Sequence, residues 1–308
     1  MKKAIVTGGA GFIGSHIVDK LIEQGVEVIV LDDLSTGKKE NINSKAEFYE
    51  VSLLDLKENS FAGCGATSRS DLRDIDVVFH LAALARVQPS IDQPIPYHDA
   101  NVTGTHNLLV AAANAGVKRF VFSSSSSVYG DAKIPTSEDH PLNPISPYAL
   151  HKLIGEQYCK LFSTLYDIDT VSLRYFNVYG DRMALDGAYR LAIPIFASQI
   201  KEGKPCTINN DGEQRRDFTY VDDVVDANIL VATTKRKFNG EVYNIGNGDN
   251  TSVNELVDMM GGEKSYGNKV IEPDETLSDY SKINLELNWK PNGNLKKWID
   301  FYKQKMGI

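Results

Sequence analysis

The feature that most constrains the fold is a rhythm in the first 176 residues. Runs that are apolar at nearly every position alternate with segments of helical period. The runs are KKAIVT (2–7), EVIVLD (Glu27–Asp32), AEFYEV around Phe48, VVFHLAA (77–83), RFVFS (119–123) and TVSLRYF (170–176). Between them the spacing predicts helices over Phe12–Glu23, 101–115 and 148–166. A strand that is apolar on both sides must be covered on both faces, and helical crossovers make neighbouring strands parallel. The fold class is therefore α/β, a doubly wound parallel sheet. After Asn177 the rhythm gives way to short mixed elements rich in Gly, Pro and Asn, which predicts a smaller mixed α/β lobe. The expected domains are 1–176, with a return segment near 219–246, and 177–308 without that segment.

Composition removes several functions. The chain has 308 residues, 33 basic and 41 acidic side chains and a net charge of -8, which argues against nonspecific nucleic-acid binding. Three cysteines, Cys64, Cys159 and Cys206, include no CxxC pair, so the expectation is a reduced, cytoplasmic protein without a metal site. His80 lies in an apolar run and reads as a satisfied core histidine. The start, MKKAIVTGG, has too short an apolar stretch for a signal sequence, and no run approaches membrane-spanning length.

Two patterns point to chemistry. TGGAGFIG places Gly8, Gly11 and Gly14 between the first strand and the first helix. Glycines there allow a tight turn and let backbone approach a pyrophosphate at a helix N-terminus. Asp32 ends the second strand at about the 20-residue distance of a dinucleotide fingerprint. A carboxylate there accepts bonds from the adenosine ribose and repels a 2′-phosphate, which favours NAD over NADP. The sheet is then of Rossmann type.

The second pattern is SPYALHK, with Tyr148 and Lys152 four apart and so on one helix face. The arrangement suits a phenol whose pKa is lowered by a nearby ammonium and a charged nicotinamide, able to take a proton from a sugar hydroxyl. One further hydroxyl is needed to hold the reacting oxygen. The serine run of FVFSSSSSVYGD, leaving the end of a buried strand, can supply it.

Together TGGAGFIG, HLAA, SSSSSVYG, YALHK, LRYFNVYG, GEQRRDFTYVDDV, YNIGNG and LNWKP resemble the extended short-chain dehydrogenase/reductases, specifically the nucleotide-sugar 4-epimerases, over essentially the full length. The resemblance implies Ser125, Tyr148 and Lys152 as catalytic residues. It implies NAD held by Gly8, Gly11, Phe12, Ile13, Gly14, Asp32, Asp33, Leu53, Leu81, Ala82, Ala83, Asn101, Ser123, Tyr148, Lys152 and Tyr175. It implies a UDP-sugar held by Ser124, Ser125, Ser126, Tyr148, Asn177, Arg216, Lys269 and Thr276. It further implies a homodimer built on the helices 101–115 and 148–166, with neither nucleic acid nor membrane as partner.

The resemblance implies C4 inversion through a transient 4-keto sugar. Relatives that dehydrate or decarboxylate carry an acidic residue just before the VYG, where this chain has Ser126 and Ser127. UDP-glucuronate 4-epimerase, decarboxylase and a noncatalytic NAD-binding sensor remain as alternatives. Two positions depart from the family pattern. Ser52 stands at an adenine-binding aspartate, which shifts that task toward backbone near Leu53. Lys269 stands at a phosphate-binding arginine, with Glu272 at the neighbouring acid. Thr276 falls where relatives with a tyrosine exclude 2-acetamido sugars, and DGAYRLAIP (186–194) resembles the substrate loop of acetamido-sugar epimerases. Both suggest UDP-GlcNAc and UDP-GalNAc, alone or alongside UDP-glucose and UDP-galactose.

Overall fold

The computed structural model describes residues 1–56, 74–185, 191–270 and 273–308. The irregular 62–70 segment, most of the 186–194 loop and Glu272 lie outside the described residues. In chain order the elements are β1 (Lys3–Thr7), α1 (Phe12–Glu23), β2 (Glu27–Asp32), β3 (Glu47–Glu50), β4 (Val77–His80), α2 (Val87–Asp92), α3 (Pro94–His98) and α4 (Gly104–Asn114). Then come β5 (Arg119–Ser125), α5 (Pro147–Leu165), β6 (Asp169–Tyr175), β7 (Val178–Tyr179), α6 (Ala192–Lys201), β8 (Cys206–Ile208), β9 (Arg215–Asp217) and β10 (Thr219–Tyr220). The last are α7 (Val221–Thr233), β11 (Glu241–Ile245), β12 (Asn250–Ser252), α8 (Val253–Met260), β13 (Lys264–Tyr266), α9 (Ser281–Leu287) and α10 (Leu295–Met306). None of the described helices is long and apolar enough to cross a membrane.

The chain divides into two compact units. The first is Met1–Val128, Pro144–Arg174 and Val225–Tyr243, and the second is Tyr129–Asn143, Tyr175–Val224 and Asn244–Ile308. The apolar rhythm counts 129–143 with the first unit, but hydrogen bonds join it to the second. Tyr129 donates to Asn244 Oδ1 at 2.6 Å, and the Thr136 N–H donates to the Leu277 carbonyl at 2.8 Å. The returning segment is tied to the first unit by Arg119. Its guanidinium donates to the carbonyls of Val231, Thr234 and Arg236 at 2.6–2.7 Å and pairs with Asp169.

The first unit is built on a seven-stranded sheet, order β11-β6-β5-β4-β1-β2-β3, in which β3-β2-β1-β4-β5 are parallel neighbours. The order reverses between β1 and β4, the topological switch point at which such sheets bind ligands. Thr7 pairs with His80, and His80 with Phe122. The last three residues of β5, Ser123–Ser125, therefore extend beyond the end of β4, so the serine run is a strand overhang.

Helix α5 starts where Ser146 accepts the Ala149 N–H, with Pro147 in its first turn. Its buried stripe is Ala149, Lys152, Gly155, Glu156, Cys159 and Phe162. Phe162 and Cys159 join a core with Phe120, Phe122, Leu108, Leu109 and Ile5. Gly155 lets α5 approach β5, because a Cβ there would lie 2.3 Å from the Phe122 ring.

In the second unit, fully buried Asp217 accepts the N–H groups of Asn247 (2.7 Å), Gly248 (3.1 Å) and Ser278 (2.9 Å). Buried Asp223 accepts those of Asn292 and Gly293 at 2.9 and 2.8 Å, which fixes the turn after the LNWKP motif.

Candidate active site

The serine overhang of β5 meets α5 at three successive residues. The Lys152 ammonium donates to the Ser123 carbonyl at 2.7 Å. The Ser124 hydroxyl donates to the Glu156 carboxylate. The Ser125 hydroxyl accepts the Ser127 N–H at 3.2 Å and is near enough to the Tyr148 phenol to pull its pKa down. Tyr148, Lys152 and Glu156 lie at four-residue steps, so one helix face engages one strand end. Ser126 opens a short 3-10 turn, Ser126–Tyr129.

Burial dominates the electrostatics. It brings the Lys152 ammonium down to about 8, with Glu156 pulling the other way. It pushes the Tyr148 phenol above its ordinary value, while the Ser125 hydroxyl and the Arg86 cation pull it down. The expectation of a phenol lowered by its neighbouring ammonium is thus corrected for the protein alone: Lys152 points at a carbonyl, with its nitrogen 5.9 Å from the Tyr148 ring centre, and desolvation outweighs the opposing groups.

Around these residues the loop after β4 is braced. Asn101, on a π-helical turn (Asp99–Thr103), both accepts from the Leu84 N–H and donates to the Leu84 carbonyl, each at 2.8 Å. Its amide is thus committed to the loop. Tyr97 donates to the Ala85 carbonyl at 2.6 Å, and Ser90 Oγ accepts the Tyr148 N–H at 3.2 Å. Arg86 sits within this brace at φ 97°, a conformation rare for a residue with a side chain.

His80 is buried and neutral, held down to about 3 chiefly by burial. Thr105 Oγ1 donates to the Asn101 carbonyl at 2.7 Å, so His80 Nε2 must donate to it at 2.8 Å. Nδ1 then accepts from Thr7, whose Oγ1 accepts the Ala82 N–H at 3.2 Å. His80 is a satisfied core histidine that ties β1 to the end of β4. Among the described residues no cluster of His, Cys, Asp or Glu is placed to hold a metal ion.

At the switch point the glycine turn closes on itself. The Gly11 N–H donates to the Gly8 carbonyl at 3.0 Å. A Cβ on Gly8, at φ 69°, would lie 2.7 Å from the Ala82 nitrogen, and one on Gly14 would lie 2.2 Å from the Gly8 carbonyl oxygen. Asp32 is buried. Its two oxygens accept the Ala10 and Leu34 N–H groups at 3.0 and 2.9 Å, and burial raises its carboxyl above the usual range against those bonds.

The family model described as "NAD dependent epimerase/dehydratase family" matches residues 4–246. The chain belongs to this family. It is 41% identical over 303 residues to a putative UDP-glucose 4-epimerase of Methanocaldococcus jannaschii, covering 96% of this chain and 95% of that protein. The solved structure of UDP-glucose 4-epimerase with UDP-glucose from Thermotoga maritima superposes with a TM-score of 0.89 at 38% identity, over 99% of both chains. That of UDP-N-acetylglucosamine 4-epimerase from Methanobrevibacter ruminantium, in complex with UDP-N-acetylmuramic acid, gives 0.88 at 35%, over 99% of both. A UDP-N-acetyl-alpha-D-glucosaminuronate decarboxylase of Bacillus cytotoxicus is 37% identical over 331 residues, covering 98% of each.

The residues of this epimerase-family chain fit its NAD. Gly8 and Gly14 allow the close backbone packing of the turn, Phe12 and Ile13 open α1 directly after it, and Asp32 retains lone pairs beyond its two backbone bonds. Leu81, Ala82 and Ala83 follow β4, partly exposed. Asp33 is exposed and accepts from Ser35. Leu53 is less available than expected: its side chain is in the core and its carbonyl accepts from Asn107 at 3.2 Å. Ser52 accepts the Leu54 N–H at 3.3 Å and so caps a short turn.

In the second unit the expected substrate residues fall into two groups. Asn177 donates to the Asp217 carbonyl at 3.0 Å and makes a longer contact, 3.4 Å, to Thr276 Oγ1, which also accepts the Asp217 N–H at 3.3 Å. Arg216 donates to the carbonyls of Arg215 and Asp274 at 2.9 and 3.4 Å. Lys269 is exposed on the segment after β13, and Tyr175 closes β6, buried. The side-chain donors of Asn177 therefore serve its own unit, whereas the sequence reading gave them to a diphosphate.

Sequence reasoning missed Glu156, Arg174 and Arg86. Glu156 carried a signal, since it stands four residues after Lys152 on a stripe that is otherwise largely apolar. Arg86 carried none, because its importance comes from a backbone conformation.

Proposed function

We propose that the chain is an NAD-dependent enzyme that inverts C4 of a UDP-sugar, UDP-GlcNAc/UDP-GalNAc or UDP-glucose/UDP-galactose. The observation that carries this reading is Lys152 bound to the strand end that brings Ser125 beside Tyr148, next to positions 126 and 127 that hold serines and no carboxylate. Such a set moves a proton at an alcohol but offers no acid or base for dehydration. Bound NAD supplies the hydride acceptor. Gly8, Gly11, Phe12, Ile13, Gly14, Asp32, Leu81, Ala82 and Ala83 would hold it.

Tyr148 takes the proton of the C4 hydroxyl as that carbon is oxidised, and Ser125 holds the reacting oxygen. Lys152, seated on the Ser123 carbonyl, keeps the strand end in register with Tyr148 and adds positive charge beside it. The proton returns from Tyr148 when C4 is reduced on its other face, so no net cofactor is consumed. Asn177, Arg216, Lys269 and Thr276 are assigned to the UDP-sugar by likeness to the family. The same likeness assigns a cytoplasmic homodimer. The exposed Leu150, Leu161 and Leu165 of α5 support the dimer, and sedimentation measures it.

The test incubates purified protein, with no NAD added, separately with UDP-GlcNAc, UDP-glucose and UDP-glucuronate. Interconversion of UDP-GlcNAc or UDP-glucose with its C4 epimer is the expected result. Release of carbon dioxide from UDP-glucuronate, or inactivity on all three after NAD is supplied, contradicts it.

A further inference from the structure

Glu156 and Arg174 are unusual in place. Both lie within the first unit at about 3% exposure, Glu156 on the buried stripe of α5 and Arg174 on β6. The guanidinium grips the carboxylate as a fork, Nε to Oε1 at 2.9 Å and Nη2 to Oε2 at 2.7 Å. Oε1 also accepts from Ser124 on β5. A buried ion pair is a poor source of stability, since apolar replacements of similar volume are often as good or better. Such a pair is better explained by orientation.

We propose that Ser124, Glu156 and Arg174 form a buried positioning relay that sets the register of the β5 overhang against α5 and so holds Ser125, Tyr148 and Lys152 in place. The proposal rests on the catalytic reading of those three residues. The relay grips the residue between the two catalytic contacts: the Ser123 carbonyl holds Lys152, Ser124 holds Glu156, and Ser125 lies beside Tyr148. A slip of the overhang would disturb both contacts together, and a misplacement near 1 Å costs on the order of a hundredfold in rate. The Ser124 hydroxyl, buried and committed to a carboxylate, is not presented to a sugar, which corrects the sequence expectation.

The relay also acts on Lys152 through charge. The groups facing Lys152 are Tyr148, His151, Glu156 and Cys159 on its own helix, His80 on β4, and the Ser123 carbonyl and Phe122 ring on β5. Glu156 supports the ammonium against burial. His80 is neutral, and burial holds the Cys159 thiol far above its ordinary value.

The experiment uses the holoenzyme and four variants. Ser124→Ala leaves the Glu156–Arg174 fork in place, and is expected to lower kcat about tenfold while leaving KM for the UDP-sugar within about twofold. The double variant Glu156→Gln/Arg174→Gln avoids a buried unpaired charge. In it the Lys152 titration, followed by NMR of ε-13C-lysine-labelled protein and identified by its loss in Lys152→Met, is expected to move to lower pH. A raised KM with unchanged kcat in Ser124→Ala would make Ser124 a substrate contact and overturn the proposal. So would an unchanged kcat and KM together, or an unmoved Lys152 titration in the double variant. If the double variant does not fold, Ser124→Ala decides. Tyr148→Phe is measured in parallel: a rate unaffected there removes the catalytic reading and the relay with it, whereas a rate lost there while Ser124→Ala is unaffected removes the relay alone.

Discussion

The ammonium of Lys152, on the buried stripe of α5, donates to the carbonyl of Ser123 at 2.7 Å and so ties α5 to the strand that carries Ser125. Burial has lowered this ammonium to about 8. The account needs it charged, so kcat should fall as pH rises through that value and the ammonium loses its proton. Lys152→Met should lose at least about a hundredfold at pH 7. Rates across roughly pH 6–10, which spans the lowered value but not the ordinary lysine range, check both.

Asp217 offers a stability test in the second unit. Burial raises its carboxyl to about 6, from 3.8, against the three N–H groups it accepts. Between those values the folded state binds more protons than the unfolded state. This group's contribution is therefore fully present below pH 3.8 and lost as pH rises through about 6, by up to about 3 kcal/mol. Asp217→Asn should remove that slope. It should also destabilise by about 1–3 kcal/mol at neutral pH, because an amide nitrogen cannot accept the bonds of an oxygen. Urea unfolding of both proteins at several pH values measures it.

Gly155→Ala should destabilise the first unit by about 1–3 kcal/mol, since the new methyl would be pushed into the Phe122 ring. Adding Phe122→Leu should recover part of the loss. Thermal unfolding of the single and double variants reads this directly.

Thr276→Tyr should remove activity on UDP-GlcNAc and spare UDP-glucose, if bulk at this position gates the acetamido group. The hydroxyl of Thr276 also accepts the Asp217 N–H and contacts Asn177. Thr276→Val separates the two effects: it removes the hydroxyl without the bulk, and should lower both activities by a similar factor. Comparing kcat/KM on the two sugars distinguishes them.

The sheet was legible because its strands are apolar at nearly every position and its helices carry one face each; α1 matches its expected bounds, Phe12–Glu23. The glycine turn was legible because φ near +70° at Gly8 and the 2.2 Å approach at Gly14 admit little else. The brace around Arg86 was not, because a left-handed arginine looks like any other in a sequence. Neither was the fate of Ser124. Five identical serines give no sign of which hydroxyl is buried, and only the pairing with Glu156 shows it. The excursion of 129–143 was hidden for the same reason: it depends on partners, Asn244 and Leu277, more than a hundred residues away.

The most direct measurement follows the hydrogen on C4. UDP-glucose deuterated at that carbon is incubated with the protein in ordinary water, and both epimers are analysed at equilibrium. The account predicts that the deuterium stays on C4 of the inverted product, because hydride leaves and returns within the site while only the hydroxyl proton passes through Tyr148. Loss of the label to solvent would contradict it.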